Sequence, residues 1–314
     1  MSRYTRELSV ALVYALLLVA LWRFAPQFYA WGHLRTVFVK SAPVLIVVVG
    51  MTLVILARQI DISVGAQLSV CGIVAGLLAQ SGLPMPLVAA LTIAVGGALG
   101  AVNGGLVAGL GLPSIVVTLA TMAILREGLL WVRQGEFVGN LPEGFQWFGL
   151  GQGAGQWCLV AIAAAVFAVF AWGLQFVAAG RAVYAVGSDP EAAFLAGLAP
   201  RRVTFGVFVA LGSLAGLAAL LSSVQFSAID PKAGAGDEMK VIAAAVVGGV
   251  AISGGRGTLA GALLGVALLE TVRPALVFLG AEAYWEKALQ GAIILVAVAT
   301  DRLQLARGGH GVRR

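Results

Sequence analysis

The chain alternates long apolar runs with short polar breaks, and the runs have the length of membrane spans. A bilayer core takes roughly 20 apolar residues per helix. By that rule the first half predicts spans at about Leu8–Phe24, Val37–Ala57, Val64–Gln80, Leu87–Ala108 and Pro113–Val132. The second half predicts Trp157–Ala178, Thr204–Gln225, Val241–Ser253, Leu259–Leu279 and Lys287–Ala299, which makes ten. The eighth is short for a crossing, so a tilted, broken or re-entrant segment is expected there. The first run follows Arg3 and Arg6 as a signal peptide would, but no small-x-small cleavage site precedes Pro26, and a retained span fits better.

One polar break differs from the rest. Gly180 to Val203 carries Arg181, Asp189, Glu191, Arg201 and Arg202 between two apolar spans. Within it, Asp189-Pro190-Glu191 predicts a helix start: Asp189 caps free N–H groups, Pro190 suits the first helical position, and Glu191 sits in the positive field of the first turn. Gly197 and Pro200 mark the end of a short, partly apolar helix. Such a helix, held between spans, suits a groove on another protein; a plain connecting loop is the simpler alternative.

Composition fixes the class. The chain is 60% hydrophobic and only 11% charged, with mean hydropathy +0.98, which excludes an ordinary soluble domain and predicts an all-α polytopic membrane protein forming one transmembrane unit over residues 1–314. The net charge of +6 is spread between spans rather than clustered, so it orients the chain and does not suggest nucleic acid. Arg3, Arg6, Arg58, Arg181, Arg201, Arg202, Arg256, Arg302, Arg307, Arg313 and Arg314 fall on one side of a ten-span topology. Glu136, Glu143, Asp230, Asp237, Glu238, Glu282 and Glu286 fall on the other. This places both termini, residues 180–203 and the basic tail 301–314 in the cytoplasm. The longest outer loop, Arg133–Gln156, holds Phe137, Phe145, Trp147 and Phe148, as expected for an interfacial anchor or a docking surface.

Catalytic chemistry is not suggested. No lysine follows a glycine (Lys40, Lys232, Lys240 and Lys287 follow Val39, Pro231, Met239 and Glu286), so the chain has no phosphate loop for ATP hydrolysis. Cys71 and Cys158 lie in apolar spans, and His33 and His310 lack ligand-spaced partners, so no metal or cofactor is expected. The polar groups inside spans are few. Arg58 to Gly65 interrupts two spans, with Asp61 either capping the next helix and pairing with Arg58 or facing a water-filled path. Asn103 sits in a stripe of Gly96, Gly100 and Gly104, and Thr118 and Thr121 share a helix face. Glu270 and Arg273, three apart, are expected to neutralise each other. Gly257, Gly261 and Gly265 form a second stripe, and Ile62-Ser63-Val64-Gly65 weakly echoes Ile252-Ser253-Gly254-Gly255.

Several of these motifs together resemble one family. Ile60-Asp61-Ile62-Ser63-Val64-Gly65, Leu112-Pro113-Ser114-Ile115-Val116-Val117-Thr118-Leu119, Tyr184-Ala185-Val186-Gly187 with Asp189-Pro190-Glu191-Ala192-Ala193, and Val246-Val247-Gly248-Gly249 with Ser253-Gly254-Gly255-Arg256-Gly257 are similar to motifs of the permease subunits of bacterial ATP-binding-cassette importers for simple sugars, the ribose, rhamnose and autoinducer-2 group. The likeness runs from about Ser41 to Thr300. It implies an inner-membrane importer in which this chain pairs with a second permease chain, two ATP-binding subunits and a periplasmic sugar-binding protein. It further implies that Gly187 to Gly197 is the coupling helix, with Gly187, Asp189, Pro190, Glu191, Ala192, Ala193 and Gly197 at the ATPase contact. Asp61, Ser63, Asn103, Thr118 and Thr121 are the candidates for a sugar path. Arg58-Gln59 stands where much of the family has Gly-Gly, which resembles the rhamnose and autoinducer-2 branch more than ribose permeases, and Phe194 stands where the family often has Arg. The competing expectations are a self-sufficient carrier or channel and a branched-chain amino-acid permease.

Overall fold

A computed structural model describes residues 5–282, 285–292 and 295. The described residues are helical throughout their spans: α1 (Thr5–Phe24), α2 (Trp31–Leu56), α3 (Val64–Gln80), α4 (Met85–Gly104), α5 (Ser114–Arg133), α6 (Gln152–Phe176), α7 (Ala178–Ser188), α8 (Pro190–Leu195), α9 (Pro200–Ser223), α10 (Asp237–Val247) and α11 (Leu259–Phe278). Seven of these (α1, α2, α4, α5, α6, α9 and α11) are long and apolar enough to cross a membrane, and α3 is a shorter apolar helix. The basic tail 301–314 and residues 293, 294 and 296–299 of the run Lys287–Ala299 lie outside the described residues.

α2 and α9 are buried over most of their length and form the centre, whereas α4 and α6, similarly apolar, remain largely exposed. α4, α2 and α3 pack on α9, α6 leans on α2, and α10 pairs with α11. α1 and α5 lie at the edge and leave Leu12, Val116, Ile124 and Trp131 exposed, as lipid-facing or partner-facing surface requires.

Glycine sets the closest contact. A Cβ on Gly96 would collide with the carbonyl of Gly212, one on Gly100 with the carbonyl of Phe208, and one on Gly216 with the carbonyl of Thr92. The first stripe therefore brings α4 and α9 together backbone to backbone, where packing and not water exclusion must hold helices together. In the second stripe, Gly261 and Gly265 seat α11 against Gly248 and Ala244 of the α10 end, while Gly257 lies before the helix in the preceding turn.

α10 has only 11 residues, a rise of about 16 Å at 1.5 Å per residue, against a hydrocarbon core of about 30 Å. It is half a crossing. Its first residues lie beside the start of α3: Gly65 abuts Gly234 and Glu238, and Ser69 Oγ accepts from Gly234 N at 3.0 Å.

Tertiary contacts sort the connections to two ends. At one, Gly255 N donates to Leu56 O at 2.9 Å, Tyr184 Oη to Gly257 O at 3.0 Å, and Thr258 Oγ1 to Glu7 Oε1 at 2.5 Å. At the other, Val138 pairs with Ile229 in an antiparallel bridge, Trp147 N donates to Val224 O at 3.0 Å, and Gln80 Nε2 to Gly139 O at 2.6 Å. The loop after α5 does more than anchor at an interface: Val138 and Phe145 are fully buried in the core, leaving Phe137 as its exposed aromatic.

Gly100→Leu should lower the thermal midpoint of the purified chain in detergent, with an overpacking cost of about 1–3 kcal/mol or more. Gly153→Leu, where nothing lies within 4 Å, should leave the midpoint unchanged. Equal midpoints for the two variants would remove the α4–α9 contact as the closest packing constraint.

Candidate functional site

The link between α2 and α3 begins with a left-handed turn. Arg58 N donates to Ile55 O and Gln59 N to Val54 O, with Arg58 at φ 64°, so the helix ends in the paired-bond cap that glycine usually makes. This turn directs the next residues back into the protein, and Asp61 and Ser63 are fully buried.

Asp61 is held by neutral donors. Its Oδ1 accepts from Ser63 N at 2.8 Å and Ser63 Oγ at 2.6 Å. Its Oδ2 accepts from Gln67 Nε2 and Asn103 Nδ2, each at 3.2 Å. Ser63 Oγ then accepts from the same two amides, each at 2.8 Å. The hydroxyl thus gives its one proton and fills both lone pairs. The amide nitrogens must point inward, because reversing either would set an oxygen against the carboxylate. Their oxygens, Gln67 Oε1 and Asn103 Oδ1, are buried without a hydrogen-bond partner among the described residues. The expected Asp61–Arg58 pair is not formed, since Arg58 points to the surface and the carboxylate is already surrounded.

α5 closes the knot from the other side. Ile60 N donates to Ser114 Oγ at 3.3 Å, and Thr118 Oγ1 donates to Ser114 O at 2.8 Å while lying 3.5 Å from Ile60 O. Asp61, Ser63, Asn103 and Thr118 are therefore brought together, all fully buried. Thr121 is not; its hydroxyl bonds Val117 O, one turn back, at 2.9 Å. Gln67 and Ser114 were missed as site residues. Gln67 was legible, lying four residues after Ser63 and so on its helix face.

A second polar group lies nearer the opposite end. Arg126 Nη2 is 3.2 Å from Glu238 Oε1, and Glu238 Oε2 accepts from Gly236 N at 3.1 Å. Lys240 pairs with Glu270, and Arg273 with Glu286 at 3.4 Å, so Glu270 and Arg273 do not neutralise each other as expected: each finds a partner on another element. Beside them, α2, α3, α9 and the 225–241 segment enclose a cavity of about 200 Å³ that Ser69, Ser222, Ser223, Gln225, Asp237 and Lys240 help to line.

At the Leu56 end, residues 180–203 fold as α7, α8 and the start of α9. Gly187 belongs to α7, where its backbone rests on Leu56 and Gly255. Asp189 Oδ1 accepts from Glu191 N and Ala192 N, each at 3.0 Å, with Pro190 opening α8. At the other end Gly197, at φ 85°, ends the helix through its N–H to Phe194 O and that of Leu198 to Ala193 O. Pro200 starts the next helix. The six residues of α8 bury Ala193 and leave Phe194 and Leu195 exposed at 66% and 81%.

A sequence profile of the family described as "Branched-chain amino acid transport system / permease component" matches residues 34–298. The autoinducer 2 import system permease protein LsrC of Enterobacter sp. (strain 638) is 33% identical over 306 residues, covering 97% of this chain and 89% of that protein. The proteins of the same name from Klebsiella pneumoniae subsp. pneumoniae and Escherichia coli O157:H7 are each 34% identical, covering 97% and 96% of this chain and 89% and 88% of theirs. No solved structure matches the chain.

Asp61→Leu should destabilise the chain by about 3–5 kcal/mol, since it strands the buried donors of Ser63, Gln67 and Asn103. Thr121→Val, which breaks one bond within its own helix, should cost well under half as much. Thermal midpoints of the two variants in one detergent decide this; a smaller loss for Asp61→Leu would contradict the knot.

Proposed function

This chain belongs to the permease-component family of the branched-chain amino acid transport type, and from that premise we propose that it is the transmembrane subunit of an ATP-driven importer. It carries a small polyhydroxylated solute, rhamnose-, ribose- or autoinducer-2-like, across the inner membrane. The named relatives favour the last of these over a branched-chain amino acid. The chain itself hydrolyses nothing. ATP is consumed by a separate subunit, and a periplasmic binding protein delivers the solute.

The observation that carries this reading is α8. A helix this short has no stability of its own in water, yet both its ends are capped by side chain and glycine, and Phe194 and Leu195 stand out at its end. That is the form of a plug for a partner's groove. Within residues 180–203 we assign α8 to the contact with the ATP-binding subunit, with Asp189, Pro190, Glu191, Ala192, Ala193 and Gly197 shaping α8 and Gly187 seating it. The end it occupies also holds Arg58 and Arg256, in support of a cytoplasmic orientation for this end and both termini.

A second permease chain, identical or not, completes the pore. α5 supports this. Between Ile124 and Trp131 its surface exposes Glu127, and a bare carboxylate within a spanning helix is stabilised by water or a partner and not by lipid. Asp61, Ser63, Asn103, Thr118 and Thr121 remain the proposed path. The unpartnered oxygens of Gln67 and Asn103 are acceptors, and a sugar presents hydroxyl donors. A self-sufficient carrier fits less well, because ion coupling requires intramembrane acids free to titrate, and Glu238 and Glu270 are paired with Arg126 and Lys240.

Gentle purification of the tagged chain from native membranes should yield a stoichiometric ATP-binding protein, identified by mass spectrometry. A folded chain that repeatedly emerges alone would defeat the importer reading. Glu191→Arg should reduce that copurification, while unchanged copurification and uptake would release Glu191 from the contact. Asn103→Leu should impair uptake with assembly intact; full uptake would remove Asn103 from the path.

A further inference from the structure

α6 and α9 both pack on α2 but scarcely on each other. Between them runs a cleft of about 550 Å³ whose floor includes Leu53 of α2 and whose end is closed by α7. Two glycines keep it open. Gly173 on α6 and Gly206 on α9 line it, and neither would meet an atom within 4 Å if given a Cβ. Every other lining side chain is apolar except one, Arg202, in the first turn of α9. Val169 and Trp172 on the rim are 63% and 60% exposed, so the cleft opens sideways where α6 faces the bilayer.

An apolar cleft open to lipid fills with hydrocarbon. Its lining of glycine, aliphatic and aromatic side chains is a surface that an acyl chain can follow. The charge specifies the lipid. Arg202 is exposed and has no carboxylate partner among the described residues, and Arg201 lies beside it. Arg181, whose Nη1 donates to Phe176 O at 3.0 Å, adds a third guanidinium at the same end of α6. Trp172 and Phe176, with ring centroids 6.3 Å apart, mark the headgroup level there. Basic pockets between spanning helices select anionic headgroups, and guanidinium matches phosphate oxygens with paired donors.

We propose that this cleft is a binding site for an anionic glycerophospholipid, its acyl chain between α6 and α9 and its headgroup phosphate on Arg202. The site adjoins α7, so the bound lipid braces the element that carries α8. The proposal stands on membrane insertion alone and does not depend on which solute is moved or on what drives it.

The test uses the purified protein with whatever subunits accompany it, delipidated and reconstituted with phosphatidylglycerol or phosphatidylcholine, and read by native mass spectrometry. Wild type should retain one phosphatidylglycerol per chain in preference to phosphatidylcholine. Arg202→Gln should weaken that retention roughly fivefold, the weight of one arginine near an anionic headgroup. Gly206→Leu should abolish it by filling the cleft, without lowering the thermal midpoint in lipid-free detergent. Equal retention of the two lipids, or retention that neither variant changes, would overturn the site. So would a Val169→Cys variant, in a Cys158→Ala background and carrying a thiol-linked benzophenone, that photocrosslinks to a protein subunit and not to lipid.

Discussion

The approach of α4 to α9 through Gly96, Gly100, Gly212 and Gly216 is the constraint on which the rest depends. In a bilayer the hydrophobic effect does not draw helices together, so the closeness of two backbones must do it. α9 then has one face filled by α4 and others by α2 and α3, with the face toward α6 left open. The same seating fixes the rotation of α4. Asn103 lies three residues beyond Gly100, less than one turn away, so the glycine contact also determines that its amide meets Asp61 and Ser63. The packing stripe and the polar knot are one arrangement read at two places.

Much of this was legible, and for a definite reason. Apolar runs of span length leave few choices in lipid, so α3 begins and ends where the hydrophobic pattern puts it, and α8 is bounded by the two residues whose local chemistry caps a helix, Asp189 and Gly197. Local signals of this kind do not depend on what lies across the fold. Partner choice does. Glu270 and Arg273 have the spacing of a helical pair, but Lys240 comes from α10 and Glu286 from beyond α11, and no spacing rule within one helix announces either. Phe145 failed in the same way: an aromatic in a Gly-rich loop looks interfacial until Val138 and Ile229 pair and fold the loop inward.

Arg58 is an instructive intermediate. Its position takes the left-handed conformation at φ 64°, which favours glycine, so arginine there is strained. The turn persists because both ends of the link are anchored, on one side by the two cap bonds to Val54 and Ile55, on the other by the donors around Asp61. Arginine therefore holds this turn at a conformational cost that glycine would not incur, while adding a positive charge at the surface of that end.

The knot and α8 are also connected through matter. Gly187, one turn before α8 starts, presses its backbone on Leu56 and Gly255; Leu56 is the last residue of α2; and the link from Arg58 leads within three residues to Asp61, which holds Asn103. Contiguity of this kind is a spatial argument, and coupling requires more, namely an element with two arrangements that both ends bias. The α2–α3 link has the properties of such an element. It is strained at Arg58, bonded to three different helices through side chains rather than through a ladder of its own, and left with two unpartnered amide oxygens. A fully satisfied network would have one lowest state. This one has two acceptors to spare among the described residues, Gln67 Oε1 and Asn103 Oδ1, which hydroxyl donors would fill without the loss of the bonds it now makes.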